Sequence, residues 1–199
     1  MEPYTLVFIG KSGSGKGTQV ELLKKKLAEH EGAQARPVFH LESGARFREF
    51  IAAGNYSGTL AGEINQRGEL QPAFLSVWVW SHLMVENMKG GEHLILDGTP
   101  RREGELDILD SALQFYNRKD IRVIHVDISR DEAARRLAGR GRGDDRPDLI
   151  TRRLDWFDEN VVPTIERFRG MKGYTVHDID GERSVEEIHA DIVAALGLE

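Results

Sequence analysis

Tyr4-Thr5-Leu6-Val7-Phe8-Ile9-Gly10-Lys11-Ser12-Gly13-Ser14-Gly15-Lys16-Gly17-Thr18-Gln19 is the stretch on which the fold turns. Its first six residues are apolar or β-prone and read as a buried strand, its middle is a glycine-rich turn, and a helical pattern runs from near Lys16 to about Glu29. Strand, glycine loop and helix in that order have a physical meaning. The glycines allow backbone conformations that turn successive amide N–H groups inward, and the helix N-terminus adds the positive end of its dipole, so a polyphosphate finds donors on several sides. Gly13, Ser14, Gly15, Lys16, Gly17 and Thr18 are therefore candidate binding residues. Lys16 would reach the terminal phosphates, and the Thr18 hydroxyl would face a magnesium ion. The general phosphate-loop pattern has Ser or Thr directly after the lysine; here Gly17 intervenes, which points to a subfamily.

Further apolar runs at Pro37–Leu41, Leu94–Leu96, Arg122–Ile128 and Tyr174–Ile179 read as four more strands, each followed by a helical segment. The alternation predicts an α/β phosphate-loop (P-loop NTPase) fold: a five-stranded parallel sheet flanked by helices, with ligands at the carboxyl ends of the strands. Residues 44–88 are too long for one crossover helix and read as several helices, broken at Gly54, at Ser57-Gly58 and at Gly68–Pro72. Within them Phe74, Val77, Trp78, Ser81, His82 and Val85 recur at helical spacing, a stripe expected to pack into the core. The segment Gly139–Asp145 is glycine-rich and charged and has no core of its own. The expected organisation is one domain, with a core of residues 1–43, 90–138 and 147–199, an inserted lobe at 44–72 and a short lid at 139–146.

Composition sets outer limits. With 199 residues, 40% hydrophobic and 30% charged, the chain has enough apolar matter to offset the ordering of its backbone. No apolar run approaches the roughly 18 residues a membrane span needs, and the N-terminal residues lack the pattern of a signal peptide, so a cytoplasmic location without membrane contact is expected. The absence of cysteine rules out disulfides and thiolate metal sites, leaving oxygen ligands for any metal. A net charge of −6 argues against a nucleic-acid partner. Arginines nevertheless gather at positions 101, 102, 135, 136, 140, 142, 146, 152 and 153, a distribution suited to a compact anionic ligand.

Gly10-Lys-Ser-Gly-Ser-Gly-Lys-Gly-Thr-Gln19 resembles the loop of the adenylate kinase family of nucleoside monophosphate kinases, and further matches follow in that family's order. His40-Leu-Glu-Ser-Gly-Ala-Arg-Phe-Arg48 resembles its acceptor-binding segment, Gly68-Glu-Leu-Gln-Pro72 the end of its acceptor lobe, and Leu96-Asp-Gly-Thr-Pro-Arg101 the motif after its third strand. Arg142-Gly-Asp-Asp145 and Arg152-Arg-Leu154 resemble two motifs late in the family's chain. The resemblance implies Mg·ATP as donor and a nucleoside monophosphate as acceptor, with AMP first and a short lid.

It also implies roles. Arg48 and Arg101 would clamp the acceptor phosphate, Arg140, Arg142 and Arg153 would close over the transferring group, and Arg136 would stack on the donor base. Lys16, Arg101, Arg140, Arg142 and Arg153 would thus be catalytic, and Arg136 and Arg140 would join the loop in binding ATP. Ser43, Gly98 and Glu105 would complete an acceptor site with Arg48, Arg101, Arg142 and Arg153, while Asp97 would hold Mg²⁺ through water beside Thr18. Arg135 and Arg152 read as solvated neighbours. No general base is sought among the histidines, because positioning and charge neutralisation dominate phosphoryl transfer. Four positions depart from the family: Ser12 stands for proline, Ala45 for aspartate, Thr99 for an aromatic residue and Glu105 for the base-reading glutamine. A carboxylate only accepts hydrogen bonds, which leaves the acceptor base open. GMP, a pyrimidine nucleotide or another metabolite remains an alternative acceptor, and a nucleotide-binding module without turnover an alternative function. A monomer is expected, since two-nucleotide chemistry needs only one chain.

Overall fold

The computed structural model describes residues 2–141 and 146–198. Five strands, β1 (Thr5–Ile9), β2 (Val38–Glu42), β3 (His93–Asp97), β4 (Ile121–Asp127) and β5 (Tyr174–Asp180), form one sheet in the order β2-β3-β1-β4-β5. Every neighbouring pair is parallel. The five stretches expected as strands are the five strands found, with ends shifted by one residue or so.

The central strands β1, β3 and β4 are largely buried on both faces, as in parallel sheets generally, and the two-residue period of the strands sorts their side chains. Val7 and Ile9 of β1, Leu94 and Leu96 of β3, and Val123 of β4 point into one core. Leu6 and Phe8, Ile95, and Ile124 and Val126 point into the other. Helices α4 (Ala73–Asn87), α5 (Glu103–Phe115) and α8 (Val162–Gly170) cover the first face through Trp80, Met84, Leu106, Leu109, Leu113 and Phe168. Helices α1 (Lys16–Glu31) and α9 (Val185–Leu196) cover the second through Val20, Leu23, Leu27, Ile188, Ile192 and Leu196. Truncating any one of these buried leucines to alanine removes on the order of 2–5 kcal/mol.

Helices α2 (Ser43–Ala52) and α3 (Tyr56–Gln66) stand between β2 and α4, and α6 (Arg130–Arg140) and α7 (Pro147–Trp156) follow β4. A small third core of Ile128, Ala133, Leu137, Ile150 and Leu154 joins α6 to α7. A π-helical turn, Phe157–Val161, connects α7 to α8.

Two expectations from sequence need correction here. The chain does break at Gly54 and again at Gly68–Pro72, but Ser57-Gly58 lies inside α3. Asn55 caps that helix by accepting from the Gly58 N–H at 2.7 Å, and a side chain at Gly58 would collide with the Phe50 carbonyl, 2.6 Å away. Glycine here permits close helix contact; it does not end a helix. The stripe of Phe74, Val77, Trp78, Ser81, His82 and Val85 is not the core face of α4. Phe74, Trp78 and Val85 are 74%, 47% and 73% exposed, whereas Leu75, Val79, Trp80 and Met84 are buried. Of the expected stripe, Val77 packs against the core. Helix α4 is apolar on nearly every side, so a 3.6-residue period fits two stripes one residue apart and periodicity cannot choose between them.

Candidate active site

Parallel strands deliver their carboxyl ends to one edge of the sheet, and there the register brings residues far apart in sequence together. Phe8 is paired with Asp97 in β1 and β3, and Glu42 with Asp97 in β2 and β3. The loop from Gly10 leaves this edge and returns as α1, whose cap residue Gly15 is left-handed with φ 92°. Gly10 has φ 153°, and a side chain there would lie 2.3 Å from the Val126 carbonyl. Gly13 has φ 87°, and Leu137 of α6 packs where its side chain would begin, at 3.2 Å. Two of the loop's glycines are thus demanded by conformation and by close neighbours together.

The loop, the start of α2 and the end of β3 line a cleft of about 600 Å³. Among its lining residues are six cations, Lys16, Arg48, Arg101, Arg136, Arg140 and Arg153, and three carboxylates, Glu42, Glu69 and Asp97. In a chain of net charge −6 this concentration of positive charge marks a site for anions. Two helix N-termini, those of α1 and α2, open onto it as well, the second through Ser43 and Gly44.

Lys16 is folded back onto the loop, donating to the Gly10 carbonyl at 2.8 Å, the Lys11 carbonyl at 3.0 Å and the Ser14 hydroxyl at 3.3 Å. Burial pulls its ammonium down to about 8; Asp97 opposes that shift, while Arg101 and Arg140 add to it. Asp97 is 6% exposed. Burial raises its carboxyl above the ordinary range, and the charge of Lys16 works against the rise. Arg101 donates from Nε to the Gly98 carbonyl at 2.8 Å and reaches the Ser43 hydroxyl at 3.5 Å, which itself donates to Gly98 at 2.8 Å. Arg48 is half exposed and pairs with Glu42 at 3.0 Å. Arg136 donates to the Gly181 carbonyl at 2.9 Å and also engages Glu132. Arg153, 9% exposed, faces the same cleft from α7.

The structure therefore gathers Gly13, Gly15, Lys16, Gly17, Thr18, Ser43, Arg48, Asp97, Gly98, Arg101, Arg136, Arg140 and Arg153 around one space. Three residues named from sequence stand differently. Ser14 is fully buried and meets Lys16 from behind the cleft lining. Arg142 lies outside the described residues, as does half of the 139–146 segment expected as a lid. Glu105, expected to read the acceptor base, is 1% exposed and is not part of the lining. It sits in the first turn of α5, where its carboxylate accepts the backbone N–H of Arg101 at 2.9 Å and faces Arg102 at 3.5 Å. Its position in the structure is that of a support for the Arg101 backbone. No histidine lines the cleft among the described residues.

Sequence reasoning assigned no individual role to Glu42, Asn65, Glu69, Gln71 and Trp156, which also line the cleft. Two of them carried a usable signal. Glu42 ends a strand at the edge where ligands collect, and Trp156 follows Arg153 by three residues and so shares its helical face.

For a divalent ion the chain offers the Thr18 hydroxyl and the Asp97 carboxylate, hard oxygen donors that suit magnesium. No group of three or more His, Cys, Asp or Glu side chains that could cage a metal occurs among the described residues. An ion at this place would share its ligands with phosphate oxygens and water, as magnesium in nucleotide sites does. None of the helices in the described residues is long and apolar enough to cross a membrane.

Comparison with known proteins agrees with this architecture. The profile of the family described as "Adenylate kinase" matches residues 8–172. The adenylate kinase of Corynebacterium glutamicum strain R is 31% identical over 192 residues, covering 96% of this chain and 98% of its own. That of Stenotrophomonas maltophilia K279a is 32% identical over 196 residues, covering 96% and 98%. That of Dehalococcoides mccartyi strain BAV1 is 30% identical over 224 aligned residues, covering 97% and 98%. With the phosphate loop, the five-stranded parallel sheet and matches spanning nearly the full length of both partners, the chain belongs to the adenylate kinase family of phosphotransferases.

Proposed function

We propose that this enzyme transfers the γ-phosphoryl group of Mg·ATP reversibly to AMP, giving two molecules of ADP. One observation carries the reading: Lys16 from the phosphate loop, Asp97 at the end of β3 and Arg101 just beyond it line one cleft, close enough for their charges to bias one another. Phosphates of two ligands would repel one another where they meet, and fixed cations around that point remove the repulsion.

In this reading Gly13, Gly15, Gly17 and Lys16 cradle the donor phosphates, with Ser14 behind them, and Arg136 flanks the donor base. Arg48, Arg101, Ser43 and Gly98 hold the acceptor phosphate, and Arg140, Arg142 and Arg153 surround the group in transit. Thr18, and Asp97 through water, would hold Mg²⁺, which when bound would neutralise charge on the donor phosphates. The lobe at 44–72 and the lid at 139–146 close over both nucleotides and keep water from the γ-phosphate. One chain supplies both subsites, which supports action as a monomer, and a cytoplasmic role in nucleotide synthesis is part of the same reading.

The test is an acceptor panel of AMP, GMP, UMP and CMP with Mg·ATP, read as coupled ADP release. AMP should give the highest kcat/KM, and Arg101→Ala should lower it by roughly 10²-fold, as loss of one preorganised charge does, with little change in ATP affinity. A different preferred nucleotide overturns the choice of AMP. Tight ATP binding with no turnover on any acceptor overturns catalysis.

A further inference from the structure

The chain from Arg67 to Gln71, which leads out of α3 towards α4, is held to the core by its carbonyl groups. Arg152 donates to the Arg67 carbonyl at 3.0 Å, Trp156 to the Gly68 carbonyl at 3.1 Å, and Arg102 to the Gln71 carbonyl at 2.7 Å. Leu149 closes over Gly68, 3.1 Å from where a side chain would start. Helix α7 provides three of these four contacts. It also provides Arg153, one helical turn before Trp156.

Trp156 does more than hold this connector. Its ring lies 5.4 Å from the Arg101 guanidinium, while its indole N–H bonds the connector at Gly68. A flat aromatic face suits a guanidinium plane, because it restrains tilt and takes up none of the edge N–H donors a phosphate would use. The π-helical turn begins immediately after it, at Phe157, a local irregularity of the kind that often accompanies functional positions.

We propose that Trp156 is a positioning residue that ties the orientation of Arg101 to the hinge of the acceptor lobe. One side chain bonds the hinge carbonyl and supports the guanidinium, so movement of the lobe about residues 67–71 and the aim of Arg101 are coupled through it. This rests on the proposed assignment of Arg101 to the acceptor phosphate and of residues 44–72 to a lobe that closes.

The experiment is steady-state kinetics on the full chain with Trp156→Phe, Trp156→Leu, Arg101→Lys and the Leu–Lys double variant. Phenylalanine keeps a ring beneath the guanidinium and loses the N–H; it should raise the acceptor KM by roughly 2–10-fold, the range for one neutral hydrogen bond, with kcat nearly unchanged. Leucine should lower kcat as well, and the ATP KM should stay within about twofold in both, as expected for a contact confined to the acceptor side. The combined effect of Trp156→Leu and Arg101→Lys should fall well short of the product of the single effects. A full product overturns the coupling, as does equal damage to the ATP and acceptor KM values. If Arg101→Lys alone leaves acceptor kinetics intact, the assignment of Arg101 fails first, and the two failures are told apart. A reading on the unsubstituted enzyme guards against variants that do not fold. In protein labelled with 5-fluorotryptophan, the Trp156 fluorine resonance, assigned by its loss in Trp156→Phe, should shift on addition of AMP alone, and the shift should vanish in Arg101→Lys. A resonance unmoved by AMP overturns the proposal.

Discussion

At the end of β1 the cation Lys16 rests on the carbonyls of Gly10 and Lys11, whereas at the end of β2 the cation Arg48 rests on a carboxylate, that of Glu42. A phosphate entering the loop has only neutral dipoles to displace from Lys16. A phosphate approaching Arg48 must compete with an anion already in place, and then remain beside it. In the proposed reading the donor subsite is organised before any ligand arrives, whereas the acceptor subsite holds, at Arg48, a charge pair that has to open, Arg101 resting on the Gly98 carbonyl instead. This asymmetry suits an enzyme in which the second substrate completes the site, and it can be broken or sharpened from both sides.

The largest expected effect lies on the donor side. Lys16→Ala should lower kcat by roughly 10²-fold or more, on the scale of losing one preorganised electrostatic donor from a desolvated site. Single-turnover kinetics at saturating nucleotide measures it. Retention of kcat within about threefold would remove Lys16 from the transfer step and with it the contrast between the two halves, since that loss is far below the range for such donors.

Next comes a pH effect that should appear on one side alone. The Lys16 ammonium is pulled by burial from its ordinary 10.5 to about 8. A polyphosphate drawn against it favours the charged form and raises that value again. Between about pH 8 and pH 10 the free enzyme therefore holds a neutral lysine and the ATP complex a charged one, so binding takes up a proton and ATP affinity falls as pH rises, by at most about tenfold per unit. Below pH 7 the lysine is charged in both states and the linkage disappears. Acceptor binding, which the proposal assigns to arginines and not to a lysine, should lack the slope. Calorimetry of ATP binding at pH 8.5 in buffers of different ionisation enthalpy reads the proton directly; an observed enthalpy independent of the buffer would contradict the shifted lysine.

The difference between the two halves also explains what could be read from sequence. The donor half is a local structure: one strand, one glycine loop and one helix start, all within residues 4–19, so the spacing of Gly10, Gly13, Gly15 and Lys16 already states the geometry. The strands were equally legible, because fully buried runs such as Leu94–Leu96 leave few other choices. The proposed acceptor half is assembled from β2, the 67–71 segment, β3 and α7, and its decisive contacts join residues far apart. Arg101 was found because its motif ends a strand. Trp156 was not, because its meaning depends on a carbonyl at Gly68, a long way back along the chain. Glu105 was placed in the base site by analogy with a glutamine, yet a carboxylate at a helix start finds backbone N–H groups and a neighbouring arginine nearer at hand. Helix α4 misled for another reason, since a helix apolar on most sides conceals which stripe it buries, and packing against α5, α2 and β2 decides.

The smallest effect expected is also the most direct probe of the acceptor half. Glu42→Gln keeps the size of the side chain and one hydrogen-bond acceptor for Arg48 but removes the charge that competes with the incoming phosphate. Both partners are about half exposed, so solvent screens the pair and its strength is of order 1 kcal/mol or less. The acceptor KM should accordingly fall by no more than about fivefold while the ATP KM is unchanged, and the steeper dependence of acceptor binding on salt should reveal a guanidinium released to the ligand. Asp97, in register beside Glu42 on the next strand, gives the substitution a second consequence. Glu42 adds to the upward push on the Asp97 carboxyl, so removing its charge lets Asp97 ionise more readily and should lower, slightly, the magnesium concentration needed for half-maximal rate. An acceptor KM that rises in Glu42→Gln would mean that the carboxylate holds Arg48 in the binding position instead of withholding it, and would reverse the reading of this half of the cleft.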